Sequence, residues 1–270
     1  GSRPPAGVSF AARLAFDDIW HTFGPGAETL RGVSVTAEPG EVLCLLGPSG
    51  CGKSTALRLI AGLSSPTSGI LDWRGPVMGK ADIGFVFQEP TLMPWASVFD
   101  NVWLPLRLQG VSRADAKPQV EEVLAQVNLS GFENAVPREL SGGMKMRVSI
   151  ARGLVTRPRV LLMDEPFAAL DEITRFQLNS DLLTLWERER FTVIFVTHSV
   201  FESVFLSNRI VVMAAHPGRV FGEMDVDAPY PRDETFRTSE DYAHLTRKAS
   251  SLLRSAMGIE GEGGDDHVLH

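Results

Sequence analysis

The stretch Gly47-Pro48-Ser49-Gly50-Cys51-Gly52-Lys53-Ser54-Thr55 has the spacing G-x-x-x-x-G-K-S/T, and its residue types suit one chemistry, the cradling of a polyphosphate. Glycines let successive backbone N–H groups turn toward an anion, and a helix beginning at the end of the loop adds its positive end. In such a cradle Lys53 reaches the β and γ phosphates, Ser54 ligates Mg²⁺ and Thr55 adds a hydrogen bond at the α phosphate. Cys51 occupies a variable place in the loop, where the N–H dipoles are expected to favour its thiolate. A second group lies in VLLMDEP, Val160 to Pro166, an apolar strand-like run ending in two carboxylates. Neighbours in a strand point to opposite sides, so the two have different tasks. Asp164 can hold the Mg²⁺ shell, and Glu165, one step into the loop, can polarise an attacking water. His198, closing TVIFVTH, is the third candidate.

The elements that must position these groups are legible as short runs without polar alternation: Val42 to Leu46, Val160 to Met163, Thr192 to Val196 and Ile210 to Ala215. Such runs are strands covered on both faces, the habit of parallel sheets in α/β proteins. Helical patterns lie between them, at Ser54 to Leu63, Ala114 to Val127 and Glu172 to Arg190. The opening part, Leu14 to Ala37, has shorter mixed segments such as VSVTA, which predict antiparallel strands at the edge of the fold. In open parallel sheets ligands sit beyond the carboxyl ends of the strands. The loop at 47–55, Asp164-Glu165 and His198 all leave strands at that edge, so they can converge on one phosphate.

Composition narrows the function classes. The 270 residues, 44% hydrophobic and 22% charged, can bury a sizeable core. No run approaches the roughly 18 apolar residues of a membrane span, and the opening Gly1-Ser2-Arg3-Pro4-Pro5 lacks the apolar region of a signal peptide. The net charge of -7 offers no general footprint for nucleic acid or anionic lipid. Two cysteines, Cys44 and Cys51, make no disulfide framework and suit a reducing cytoplasm. The glycine-rich stretch Gly258 to His270 predicts a disordered tail.

In LSGGMKMRVSIARGL, residues 140–154, two adjacent glycines open what otherwise reads as a helix, although helices disfavour glycine. With the preceding motifs, LSGGM resembles the signature of the ATP-hydrolysing subunits of ABC transporters, which usually ends in Gln where this chain has Met144. The resemblance runs from about Leu14 to about Arg219 with the motifs in family order. It implies a P-loop α/β cassette over residues 10–220, with a mainly parallel core sheet, an antiparallel β subdomain and an inserted helical subdomain at about 89–157, followed by a C-terminal extension at 221–257. It also implies that Ser141 caps a helix and that Gly142 and Gly143 let the γ phosphate held by the opposite subunit approach the backbone. The cofactors would be ATP and Mg²⁺, bound by two subunits that close head to tail.

By the same resemblance Gln88, after IGFVF, is the glutamine that contacts Mg²⁺ and water, and Asp171 of FAALD organises the facing site. Phe23 falls where the family often stacks an aromatic on adenine, and it equally suits a strand's core. Within EPTLMPWASVFDNVWLPL, Trp95, Phe99 and Trp103 are either subdomain core or the groove receiving a helix of an integral-membrane permease. The segments EPTLMPW and EPFAALDEITR are similar to the importer branch for nitrate, sulfonate, taurine and pyrimidine precursors, in which a solute-binding protein and the permease choose the solute. The implied protein is peripheral on the cytoplasmic face of the cell membrane and needs no nucleic acid. Two other functions share part of this pattern. A soluble ABC ATPase has every nucleotide motif, and a P-loop kinase for small molecules has the phosphate loop alone; LSGGM, AALD and His198 at their spacings argue against the kinase.

Overall fold

The computed structural model describes residues 13–23, 27–74, 79 and 82–259. A six-stranded sheet carries the molecule's centre, built from β3 (Val42–Leu46), β5 (Ile83–Val86), β6 (Val160–Asp164), β7 (Thr192–Thr197), β8 (Arg209–Ala214) and β9 (Arg219–Asp225) in the order β5-β6-β7-β3-β8-β9. The first five strands run parallel, and β9 returns antiparallel to β8. A second sheet of β1 (Arg13–Phe23), β2 (Ala27–Ala37) and β4 (Ser68–Arg74), ordered β2-β1-β4, is antiparallel throughout, as the mixed segments predict.

The unbroken apolar runs have a direct cause. Along β3, Val42, Cys44 and Leu46 enter one core with Leu161, Met163, Val193 and Phe195, whereas Leu43 and Leu45 enter another with Leu162, Ile194 and Val196. Both faces are therefore dry, and each fully buried Val or Leu is worth about 1.5–3 kcal/mol. A charge inside such a strand would be costly, which confines the chemistry to strand ends. Asp164, the last residue of β6, is its first to leave the buried class.

The first core is covered by α2 (Val98–Leu108), α3 (Arg113–Gln126), α4 (Gly142–Leu154), α5 (Glu172–Glu189), α6 (Val200–Leu206) and α8 (Glu240–Ala256); the second by α1 (Lys53–Ile60) and the antiparallel sheet. The short α7 (Glu234–Arg237) precedes α8. Val102, Val120 and Leu124 of the helical segment share the core that holds Val42 and Leu161. The proline-rich stretch is more regular than it reads, because Ser97 caps α2 by accepting the Asp100 N–H at 3.1 Å. Of its aromatics, Phe99 is buried, Trp103 is half-buried with its indole N–H on Val111 O, and Trp95 is 79% exposed. The boundary expected at 220 falls inside β9, and Tyr242, Leu245 and Ala249 of α8 join the sheet's own core. Of the expected tail, residues 260–270 lie outside the described residues.

Candidate active site

Four neighbouring parallel strands, β5, β6, β7 and β3, deliver at one edge Gln88, Asp164-Glu165, His198 and the loop at 47–55. At about 4.8 Å per strand the row spans about 15 Å. Gln88 lies two residues past β5 and is exposed.

At two glycines of the loop, contacts leave no room for a side chain. A Cβ on Gly47 would lie 2.7 Å from Cys51 Sγ and 2.8 Å from Met213 O. Gly52 holds φ at 88°, and a Cβ there would lie 2.5 Å from a Leu30 methyl. Seven helices, α2 to α8, begin on a Ser or Asp side chain that accepts a backbone N–H, but α1 begins on Gly52 with no such cap. Its first-turn N–H groups therefore suit an anion from outside the chain. Lys53, 4% exposed, folds back so that Nζ donates to Gly47 O at 2.7 Å and Pro48 O at 2.8 Å. The thiolate expected at Cys51 is not supported. Cys51 is buried, and burial pushes its thiol up against the opposing effect of Lys53, so desolvation outweighs the loop's dipoles.

Ser54 Oγ donates to Asp164 Oδ1 at 2.9 Å. Burial pushes the Asp164 carboxyl up, and the bond from Ser54 opposes it. The chain then turns sharply, with Glu165 at φ 45° in the left-handed region. For a non-glycine residue that conformation costs about 1–3 kcal/mol and persists where surrounding structure imposes it. Here the Glu165 N–H is held by Val196 O at 2.9 Å. The turn separates the two carboxylates: Asp164 meets Ser54, and Glu165 reaches Lys53 Nζ (3.7 Å) with Oε1 and His198 Nδ1 (3.2 Å) with Oε2. Glu165 thus sits between a buried cation and a half-exposed imidazole, where a group accepting a proton from water would be useful.

The signature residues are elsewhere. Ser141 caps α4 by accepting the Met144 N–H at 3.2 Å. The two glycines divide two tasks: Gly142 is exposed, whereas Gly143 is buried and a Cβ on it would lie 2.6 Å from Thr174 Cγ2 on α5. The second glycine is thus required by helix packing. Among the described residues, no hydrogen bond or ion pair joins 141–143 to 47–55 within the chain. Gly143→Ala is expected to destabilise by up to about 2 kcal/mol, overpacking outweighing the helix-propensity gain. In a Thr174→Ser background, which deletes the facing methyl but keeps the hydroxyl that donates to Asp171 Oδ2, the same change should cost clearly less, as denaturant midpoints would measure.

Asp171 is the N-cap of α5, accepting the Thr174 N–H at 2.9 Å, and the Thr174 bonds hold its carboxyl below the usual range. The Phe23 side chain lies outside the described residues. Two arginines escaped sequence reasoning. Arg175 donates to Phe167 O, Ala168 O and Leu170 O, each at 3.2 Å, fixing the loop after Glu165. Arg152 on α4 donates to Pro90 O at 2.7 Å and Thr91 O at 3.0 Å, fixing the loop after Gln88. Their acceptors are main-chain carbonyls, which leave no mark in residue spacing.

Similarity to known proteins extends over most of the chain. The ABC transporter family model matches residues 30–168. An uncharacterized ABC transporter ATP-binding protein from Methanocaldococcus jannaschii is 45% identical over 241 residues, covering 88% of this chain and 89% of that one. The aliphatic sulfonates import ATP-binding protein SsuB from Bacillus subtilis is 42% identical over 233 residues, covering 86% and 89%. A solved dimeric bacterial ABC transporter cassette superposes with TM-score 0.69 at 31% identity, over 80% of this chain and 100% of that one, and is also known in a post-hydrolysis state bound to ADP and Pi.

Proposed function

The chain belongs to the ABC transporter family, as an ATP-binding ATPase subunit, and from that premise we propose that it powers the import of a small organic anion of the sulfonate type. The observation that carries the chemistry is Glu165 held between Lys53 and His198 at the end of β6. The uncapped start of α1 and the loop at 47–55 receive the phosphates, with Lys53 exchanging its carbonyl partners for stronger, anionic ones. Thr55 adds a contact at the α phosphate. Glu165 takes the proton of the attacking water, and His198, bonded to it, stabilises charge at the γ phosphate.

Ser54 and Asp164 fit a magnesium site. Their oxygens are adjacent, and a cation would favour the ionised form of a carboxyl that burial pushes up. An Mg²⁺ ion there would take few protein oxygens and the rest from substrate and water. Ser54 and Asp164, with Gln88 as a further candidate ligand, would hold Mg²⁺, which would neutralise charge on the phosphate oxygens.

Ser141 to Gly143 take part only if a second copy brings them, so two chains close head to tail around two nucleotides, in keeping with the dimeric relative. No helix among the described residues is long and apolar enough to cross a membrane. In keeping with the import ATP-binding relative, the coupling runs through permease subunits, with Trp95 as an exposed apolar anchor beside the Gln88 loop. The test is uptake by proteoliposomes containing this chain, its permease and its solute-binding protein. Hydrolysis should rise when the loaded binding protein is added, and labelled aliphatic sulfonate should accumulate. An ATPase rate indifferent to the membrane partners would overturn the transport reading, whereas stimulation by another solute would overturn only the sulfonate assignment.

A further inference from the structure

We propose that Glu202, acting through Thr197, is a positioning residue for His198. The inference rests on the role given to His198 above. Thr197 ends β7 and is 2% exposed. Its Oγ1 accepts the Ser199 N–H at 2.9 Å and donates to Glu202 Oε2 at 2.6 Å. The two residues flanking His198 are thereby tied together, and the tie is anchored on a carboxylate in the first turn of α6. Ser199 Oγ accepts the Glu202 N–H at 3.3 Å, closing the ring from the other side.

Glu202 is 7% exposed, and its second oxygen accepts Asn179 Nδ2 of α5 at 3.3 Å. Asn179 is itself 4% exposed, and because an ionised carboxylate only accepts, the amide must present its nitrogen there. A buried carboxylate held by neutral donors is costly compared with an apolar residue of similar size, so packing alone does not account for it. Both ends of α6 are fixed as well. Arg232, buried, donates to Val204 O, Phe205 O and Ser207 O, and Tyr242 of α8 donates its hydroxyl to Phe201 O at 3.0 Å. With α6 unable to slide, Glu202 is a fixed point from which the His198 turn is measured. The C-terminal segment, silent as sequence, takes part in holding that point.

The test uses near-isosteric variants of the full chain, each checked for a cooperative thermal transition. Thr197→Val removes the bridging hydroxyl and retains the volume. Glu202→Gln leaves one acceptor where two donors converge. Each is expected to lower kcat several-fold to about 100-fold, the effect of a small displacement of a catalytic group, with KM for ATP and nucleotide Kd within about two-fold. Thr197→Ser, keeping the hydroxyl, should restore kcat. In a His198→Ala background, Thr197→Val should cost almost nothing more, because its effect passes through the imidazole. Equal losses with and without His198, or kcat unchanged in both variants, would overturn the proposal. If instead His198→Ala alone left the rate intact, the failure would lie with the catalytic reading of His198, which that single variant identifies separately.

Discussion

Glu165→Gln is expected to lower the ATPase rate by about 10² to 10⁴ while ATP still binds. Glutamine keeps the length and planar end of the side chain and can still bond His198, but it has no basic oxygen to receive a proton from water. Because the side chain is 16% exposed and 3.7 Å from Lys53 Nζ, the carboxylate also competes with phosphate for that ammonium. Removing the competitor predicts unchanged or slightly tighter nucleotide binding. A bound, unhydrolysed triphosphate should then hold two copies together. Phosphate release at saturating ATP gives the rate, a fluorescent nucleotide gives the affinity, and light scattering gives the association state. A rate within about three-fold of the parent would remove Glu165 as the base.

What the sequence displayed and what it concealed follow from how local each constraint is. The strands β3, β6, β7 and β8 stood out because both faces of the sheet are dry, so nearly every position is apolar and the ends fall where the first polar side chain appears. The phosphate loop is legible for a similar reason, since it is made by consecutive residues. β9 is concealed because it lies at the sheet's edge with mostly exposed or half-buried positions, giving no apolar run to read. α2 is concealed by Pro94 and Pro105, although Ser97 and Asp100 supply an ordinary helix start. At the site, Arg175, Arg152 and Glu202 pass unnoticed because each binds partners fixed only by the folded chain. Cys51 shows the opposite failure. The loop's dipoles were legible, but the burial that reverses their effect comes from packing beside Gly47 in the second core. Gly143 is a mixture of the two, since the motif marks it and only the structure supplies Thr174 as the reason.

Lys53→Ala is expected to act on binding where Glu165→Gln acts on rate. The ammonium is almost wholly buried, with two short bonds to loop carbonyls that hold it over the cradle before any nucleotide arrives. That arrangement removes most of the ordering cost of a long flexible side chain, so affinity gains the difference between charge-assisted bonds to phosphate and the carbonyl bonds they replace. Truncation would leave phosphate charge unpaired in a partly desolvated loop, a loss of about 2–5 kcal/mol, hence about 30-fold or more in nucleotide Kd. Arginine should not rescue it. Gly47 O and Pro48 O both lie within 2.8 Å of a compact ammonium, and a planar guanidinium cannot occupy that space without moving the loop. Titration with a fluorescent ATP analogue, beside a thermal melt to verify folding, measures the effect. Near-parent affinity in a folded Lys53→Ala chain would mean that the backbone N–H groups and the start of α1 carry the phosphate alone, with the lysine reserved for the transition state.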